Sequence, residues 1–153
     1  HYSSYSRLRE FHSCFCMIEF DYAVLNAGGN LSIKLVHLPV IPITIENEGK
    51  AFDALCLIDS GAEYCVLHAE IGRSLGLVIE EGQPVSLSGV QEPRFTAYLH
   101  DITYRLESRS YPATIAFVDN AQMGYGILGR NGFFDYFKVC FDHRGRKVTL
   151  DPY

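Results

Sequence analysis

Apolar and polar positions alternate along most of this chain, and the alternation predicts short strands, not long helices. Leu31 to Leu38 and Val40 to Glu46 carry β-branched and apolar residues, with Pro39 and Pro42 marking an edge or an irregular stretch. Asn47-Glu-Gly-Lys50 is a turn, and AFDALCLI at 51–58 completes a hairpin with the preceding strand. A short helix is expected over 69–75, where Ile71 and Leu75 stand four apart and Gly76 gives a stop. Strands follow at 83–88 and 94–106, joined by Ser88-Gly-Val-Gln-Glu-Pro93, and another at 111–118. Ile127-Leu128 reads as a short buried strand, Asn131 to Phe137 as a second short helix, and KVCFD and KVTLD as a closing hairpin around His143–Arg146. Many short strands with turn signals between them predict a small, mainly β barrel or sandwich with one or two short helices.

Residues 1–30 do not share this pattern. Aromatics are mixed with Ser, Arg and Glu, and the stretch ends in the loop signal Asn26-Ala-Gly-Gly-Asn30. The organisation expected is an N-terminal extension over 1–30 and one domain over 31–153, a length that suits one core. The extension reads as a tail, an added element or a partner-binding arm.

Composition narrows the function classes. An apolar share of 48% with 20% charged residues is globular, and a net charge of −5 argues against a nucleic-acid partner, which needs a basic face. No apolar run reaches the roughly 18–20 residues that span a bilayer. The expected location is cytoplasmic, with a lost targeting segment left open because the chain starts at His1. Five cysteines, at 14, 16, 56, 65 and 140, do not form the regular even set of a secreted disulfide framework. His12-x-Cys14-x-Cys16 is spaced more tightly than a zinc knuckle and has no second pair, so no metal or other cofactor is expected. Cys65 and His68 stand near one another without the third group that thiol catalysis needs.

The chemistry concentrates in LIDSGA, 57–62. Asp59 ends an apolar run, so its carboxylate sits where a strand leaves the core, an expensive place unless the charge is used or satisfied. Gly61 permits backbone geometry and close approach that a side chain would obstruct. Asp-Ser-Gly is also a common turn, and an aspartate before a helix is often a cap. Downstream, GYGILGRNG at 124–132 repeats the scheme of LCLIDSGA at 55–62, an apolar strand, a glycine-containing turn and then a short helix, so the two units could be related by an approximate two-fold.

Together, LIDSGA and GILGRN resemble the retroviral-type aspartic proteases, the retropepsins, and especially their small single-domain bacterial members, with GFFDYF and VCFD matching further features. The resemblance spans roughly residues 38–152. It implies a closed acid-protease barrel with one lobe per chain, no cofactor, and a homodimer in which each subunit supplies one Asp59 to cleave a peptide or protein substrate. It makes Ser60 a bond across the dimer, Gly61 the close-approach residue, and Ala62 a position lacking a hydroxyl that would lower the dyad's titration. A mildly acidic optimum is therefore expected. It further implies that Glu63 pairs with Arg130 of the second motif, beside Gly129 and Asn131. By order it places a flap over Ser86 to Arg94, with Gly89 and Val90 near its tip and Ser88 beside them; the same residues also read as an ordinary exposed β-turn. Two other classes stand beside the enzyme: a weak or inactive binding or dimerisation module on the same fold, and an unrelated ligand-binding barrel in which Asp59 is a turn residue.

Overall fold

A computed structural model describes residues 17–29, 32–88, 94–120 and 122–153. Its strands are β1 (Ile18–Asp21), β2 (Ala23–Asn26), β3 (Leu35–Leu38), β4 (Val40–Asn47), β5 (Lys50–Ile58) and β6 (Cys65–His68). After the helix α1 (Ala69–Ser74) and a 3-10 turn at Ile79–Glu81 come β7 (Gln83–Leu87), β8 (Phe95–Leu106), β9 (Arg109–Val118), β10 (Gly126–Leu128), β11 (Phe137–Asp142) and β12 (Lys147–Pro152).

Six strands close a barrel in the order β4-β5-β10-β6-β9-β8, because β8 pairs back onto β4 at Thr44↔Arg105 through Glu46↔Thr103. β8 is long enough to serve two partners on one edge: its first half carries β7, and its second half carries β4. Closure removes the unpaired edges that an open sheet of this size would expose. Alternation along each strand then fills the interior. Ile41, Ile43 and Ile45 point inward from β4, with Ala54, Cys56 and Ile58 doing the same from β5. Residues Ile115–Val118 are buried on both sides of β9, because a second, smaller apolar cluster of Val66, Ala97, Ala116 and Val118 covers the outer face.

The expected hairpin at 40–58 forms, and its two turn residues, Glu48 and Gly49, both take positive φ (46° and 80°). That geometry matches the right-handed twist of the paired strands. The helix expected over 69–75 is α1, and Gly76 closes it in the left-handed region at φ 85°. The closing hairpin pairs β11 with β12 throughout, and β1 adds to the other side of β12 from Ile18↔Leu150 to Asp21↔Lys147. Tyr22, just after β1, is 7% exposed and donates its N–H to the Arg146 carbonyl at 2.7 Å. β2 and β3 form a separate two-stranded ribbon. The strand expected over 31–38 is confined to Leu35–Leu38 among the described residues.

One expected element is absent. Asn131 to Phe137 is not helical; it is a run of turns that leads directly into β11. Gly132 sits at φ 97°, outside helical space, and its N–H donates to Asp135 Oδ2 at 3.0 Å. The apolar residues here, Phe133 and Phe137, are spaced to enter the barrel with Tyr104, not to coat one helix face.

Tyr104, fully buried, secures this turn by donating its hydroxyl to the Gly132 carbonyl at 2.9 Å. Burial pushes its phenol above the ordinary range, so the donor keeps its proton. Tyr104→Phe keeps the ring but removes the bond. The expected loss is about 1 kcal/mol, read as a lower urea midpoint with unchanged slope. An unchanged midpoint would show that the bond does not contribute.

Candidate active site

The two motifs lie side by side because β5 and β10 run parallel, with Cys56↔Gly126, Leu57↔Ile127 and Ile58↔Leu128 in register. Gly126 leaves room at this seam, since a Cβ there would meet Leu67 Cδ2 at 2.6 Å and Cys56 Sγ at 2.7 Å. The strands end together, so the Asp59 turn and the Gly129 turn leave the barrel as neighbours. Asp59 N–H donates to the Leu128 carbonyl at 3.0 Å, which fixes where the first turn begins.

Asp59 is half-buried, with Ser60 and Gly61 exposed beyond it. Its Oδ1 accepts from the Gly61 N–H at 2.9 Å, and its carbonyl accepts from the Ala62 N–H at 3.2 Å. The carboxylate is thus oriented by its own turn while remaining open to solvent. A Cβ on Gly61 would stand 3.1 Å from that same Oδ1, so a side chain there would crowd the held carboxylate. The answer to the cost of placing Asp59 at a core exit is therefore local: the turn donates to it.

The second turn is laced to the first by backbone bonds. Arg130 N–H donates to the Ala62 carbonyl at 2.9 Å, and Asn131 N–H to the Glu63 carbonyl at 2.8 Å. Tyr64 and Asn131 form an isolated parallel bridge. The approach is so close at Gly129 that an added Cβ would overlap the Tyr64 carbonyl oxygen and come within 2.6 Å of its carbon.

Arg130 does not pair with Glu63, contrary to the expectation. Its Nη1 donates to the carbonyl oxygens of Ser60 and Gly61, at 3.0 Å each, and no Glu63–Arg130 ion pair forms among the described residues. The reason is positional: the guanidinium lies over the exposed carbonyls of the Asp59 turn, while Glu63 is an exposed residue tied to the second turn by its backbone oxygen. Arg130 therefore supports the turn by satisfying two carbonyls.

Ser88 is exposed just after β7, while Gly89 and Val90 lie outside the described residues, as do His12, Cys14 and Cys16. β7 and the start of β8 pair from Gln83↔Leu99 to Leu87↔Phe95, so the stretch that includes Ser88 is flanked by a true hairpin. Among the described residues no group of three or more His, Cys, Asp and Glu is placed to hold a metal, and no helix is long and apolar enough to cross a membrane.

Cys65 and His68 do not act together. His68 caps α1, its Nδ1 accepting from the Glu70 N–H at 3.1 Å, whereas the Cys65 sulfur contacts Gly129 and Asn131. That contact between Cys65 and the second turn is what sequence reasoning missed, since nothing in the spacing of residues 65 and 129 reveals it. Sequence reasoning also missed the outer apolar cluster, where half-buried Tyr64, Leu87 and Met123 join Ile127 of the second motif against Val66, Ala97, Ala116 and Val118. A cleft of about 480 Å³ reaches Tyr64, Asn131 and Gly132 but is not lined by Asp59.

No protein-family model matches the chain, and no curated protein matches its sequence. Solved structures do match. A retropepsin-like aspartic protease from Rickettsia conorii aligns over 88% of this chain and 90% of its own, at 13% identity and a TM-score of 0.53. The retroviral protease-like domain of Ddi1 from Leishmania major aligns over 76% of this chain and 90% of its own, at 18% identity and a TM-score of 0.54. With a six-stranded closed barrel and two parallel strands delivering LIDSGA and GILGRN to one end, this chain has the retropepsin-like aspartic-protease fold.

Proposed function

We propose that the protein is an aspartic endopeptidase that works as a homodimer, with Asp59 from each chain forming the catalytic pair. The observation that carries this reading is the half-exposed Asp59 carboxylate, held by the Gly61 N–H at the mouth of a retropepsin-like barrel. The chain has one Asp-Ser-Gly-Ala and no second copy, so a paired site needs a second subunit.

In the dimer two carboxylates about 3 Å apart share a proton, because both cannot ionise freely. One takes a proton from a bound water, and the other, protonated, polarises the scissile carbonyl. The water attacks, the tetrahedral species collapses, and the amine leaves with a proton from the pair. In this reading Ser60 would bond across the two-fold through its hydroxyl. Ala62 brings no side-chain donor to the carboxylates. The flap assignment, Ser88 with Gly89 and Val90, belongs to this same reading. The apolar residues beside the motif ends offer contact area for substrate side chains.

The test is cleavage of a mixed peptide library at protein concentrations that favour dimers, with Asp59→Asn alongside. The cleavage rate is expected to peak in the mildly acidic range, because Ala62 supplies no hydroxyl to stabilise the ionised dyad. A pH–rate peak at about pH 2 would contradict the role given to Ala62. Equal behaviour of wild type and variant would favour a binding or dimerisation module on the same fold.

A further inference from the structure

The second-motif turn presents three successive backbone N–H groups, and each goes to a different acceptor. Arg130 and Asn131 donate to the Ala62 and Glu63 carbonyls. Gly129 is buried, and its N–H donates to the sulfur of Cys65 at 3.4 Å. The same sulfur lies 3.4 Å from the Asn131 carbonyl, to which the thiol donates. One side chain thus accepts from the start of the turn and donates to its end.

We propose that Cys65 is a positioning residue of the Asp59 site, its thiol clasping the Gly129–Asn131 turn at both ends and thereby fixing Arg130 over the Asp59 turn. The route is short and continuous. The thiol sets the backbone on either side of Arg130; the Arg130 guanidinium holds the Ser60 and Gly61 carbonyls; and Gly61 presents its N–H to Asp59 Oδ1. The effect on turnover rests on the proteolytic reading, whereas the clasp is independent of any substrate.

Three observations make the thiol suited to this work. Cys65 is 1% exposed, in a strand held on both sides by β10 and β9, so its Cβ has a fixed origin. Burial pushes its thiol up to about 11, so it keeps its proton through the acidic and neutral range and serves as donor and acceptor together. Sulfur also reaches further than oxygen. A serine hydroxyl bonds at about 2.7–3.0 Å, so it would need the turn to draw inward to make both contacts.

The experiment compares wild type, Cys65→Ser, Cys65→Ala and the exposed-site control Cys140→Ala, using the full chain. Hydrogen exchange at the Gly129 amide, followed by NMR, is referenced to amides of the β4–β5 ladder, which report global opening. In Cys65→Ala the Gly129 amide is expected to exchange roughly tenfold faster or more beyond any change in the reference, with Cys65→Ser nearer to wild type. Where the wild type cleaves peptide, Cys65→Ala should lower kcat with KM little changed, and Cys65→Ser should restore part of it. Gly129 exchange that merely follows the reference amides would overturn the clasp. So would equal kcat per folded dimer in all four proteins. If the wild type cleaves nothing, the proteolytic reading fails while the exchange comparison still decides the clasp.

Discussion

Asp59→Asn is expected to lower peptide cleavage by on the order of a thousandfold or more, leaving the fold intact. The amide keeps an Oδ1 that can accept from Gly61 N–H, so the turn geometry observed around Asp59 should survive. What is lost is the capacity to take a proton from water. Thermal unfolding and the dimer–monomer equilibrium should therefore match the wild type while turnover disappears. Mixing adds a sharper result. If each site draws one carboxylate from each chain, equal amounts of wild-type and variant subunits, allowed to re-equilibrate, form only about a quarter all-wild-type dimers. Activity should fall to that fraction of the all-wild-type value at the same total protein. A fall to one half would mean that each chain works alone, and the homodimer mechanism would be abandoned.

Gly129→Ala is the second large effect, and it concerns stability. A Cβ there would overlap the Tyr64 carbonyl oxygen, stand 2.6 Å from the Tyr64 carbon and 2.9 Å from the Ala62 oxygen. All three are backbone atoms of the segment that leads from Asp59 into β6, so no side-chain rotation relieves the contact. The two turns must separate, which breaks Arg130 N–H to Ala62 and Asn131 N–H to Glu63. The expected cost is about 3 kcal/mol or more, enough to depress the melting temperature by roughly 6–12 °C or prevent folding. Gly124→Ala is the matched control, because a Cβ at Gly124 meets no atom of the described residues within 4 Å. If Gly129→Ala unfolds at the same temperature as Gly124→Ala, the close packing of the two turns is not a constraint on this fold.

Much of this was legible along the chain, for a physical reason. Alternation, turn residues and apolar runs are local, and the elements they specify form where local preference and burial agree. So β4 and β5, the short α1 with its Gly76 stop, and the β11–β12 hairpin stand near their expected places. The pairing of LIDSGA with GILGRN was also visible, because both motifs put a glycine turn after a short apolar strand.

Other features depended on which segments the closed barrel brings together. Asn131 to Phe137 has helix-like spacing, yet Phe133 and Phe137 are claimed by the barrel interior, and the left-handed Gly132 breaks the turn. β1 has too little pattern of its own to be recognised; it is a strand because β12 offers it a ladder. Arg130 carries a charge that suits Glu63 equally well on paper, but the fold lays it over two carbonyls. Cys65 and Gly129 are 64 residues apart, and only the antiparallel contact of β6 with β10 brings the thiol to the buried N–H. The sequence by itself determined β4, β5, α1, the β11–β12 hairpin and the placement of one carboxylate at a core exit, because those follow from neighbours along the chain. Tertiary structure alone decided which backbone groups meet around that carboxylate, because buried donors and acceptors must find partners wherever the barrel's closure leaves them.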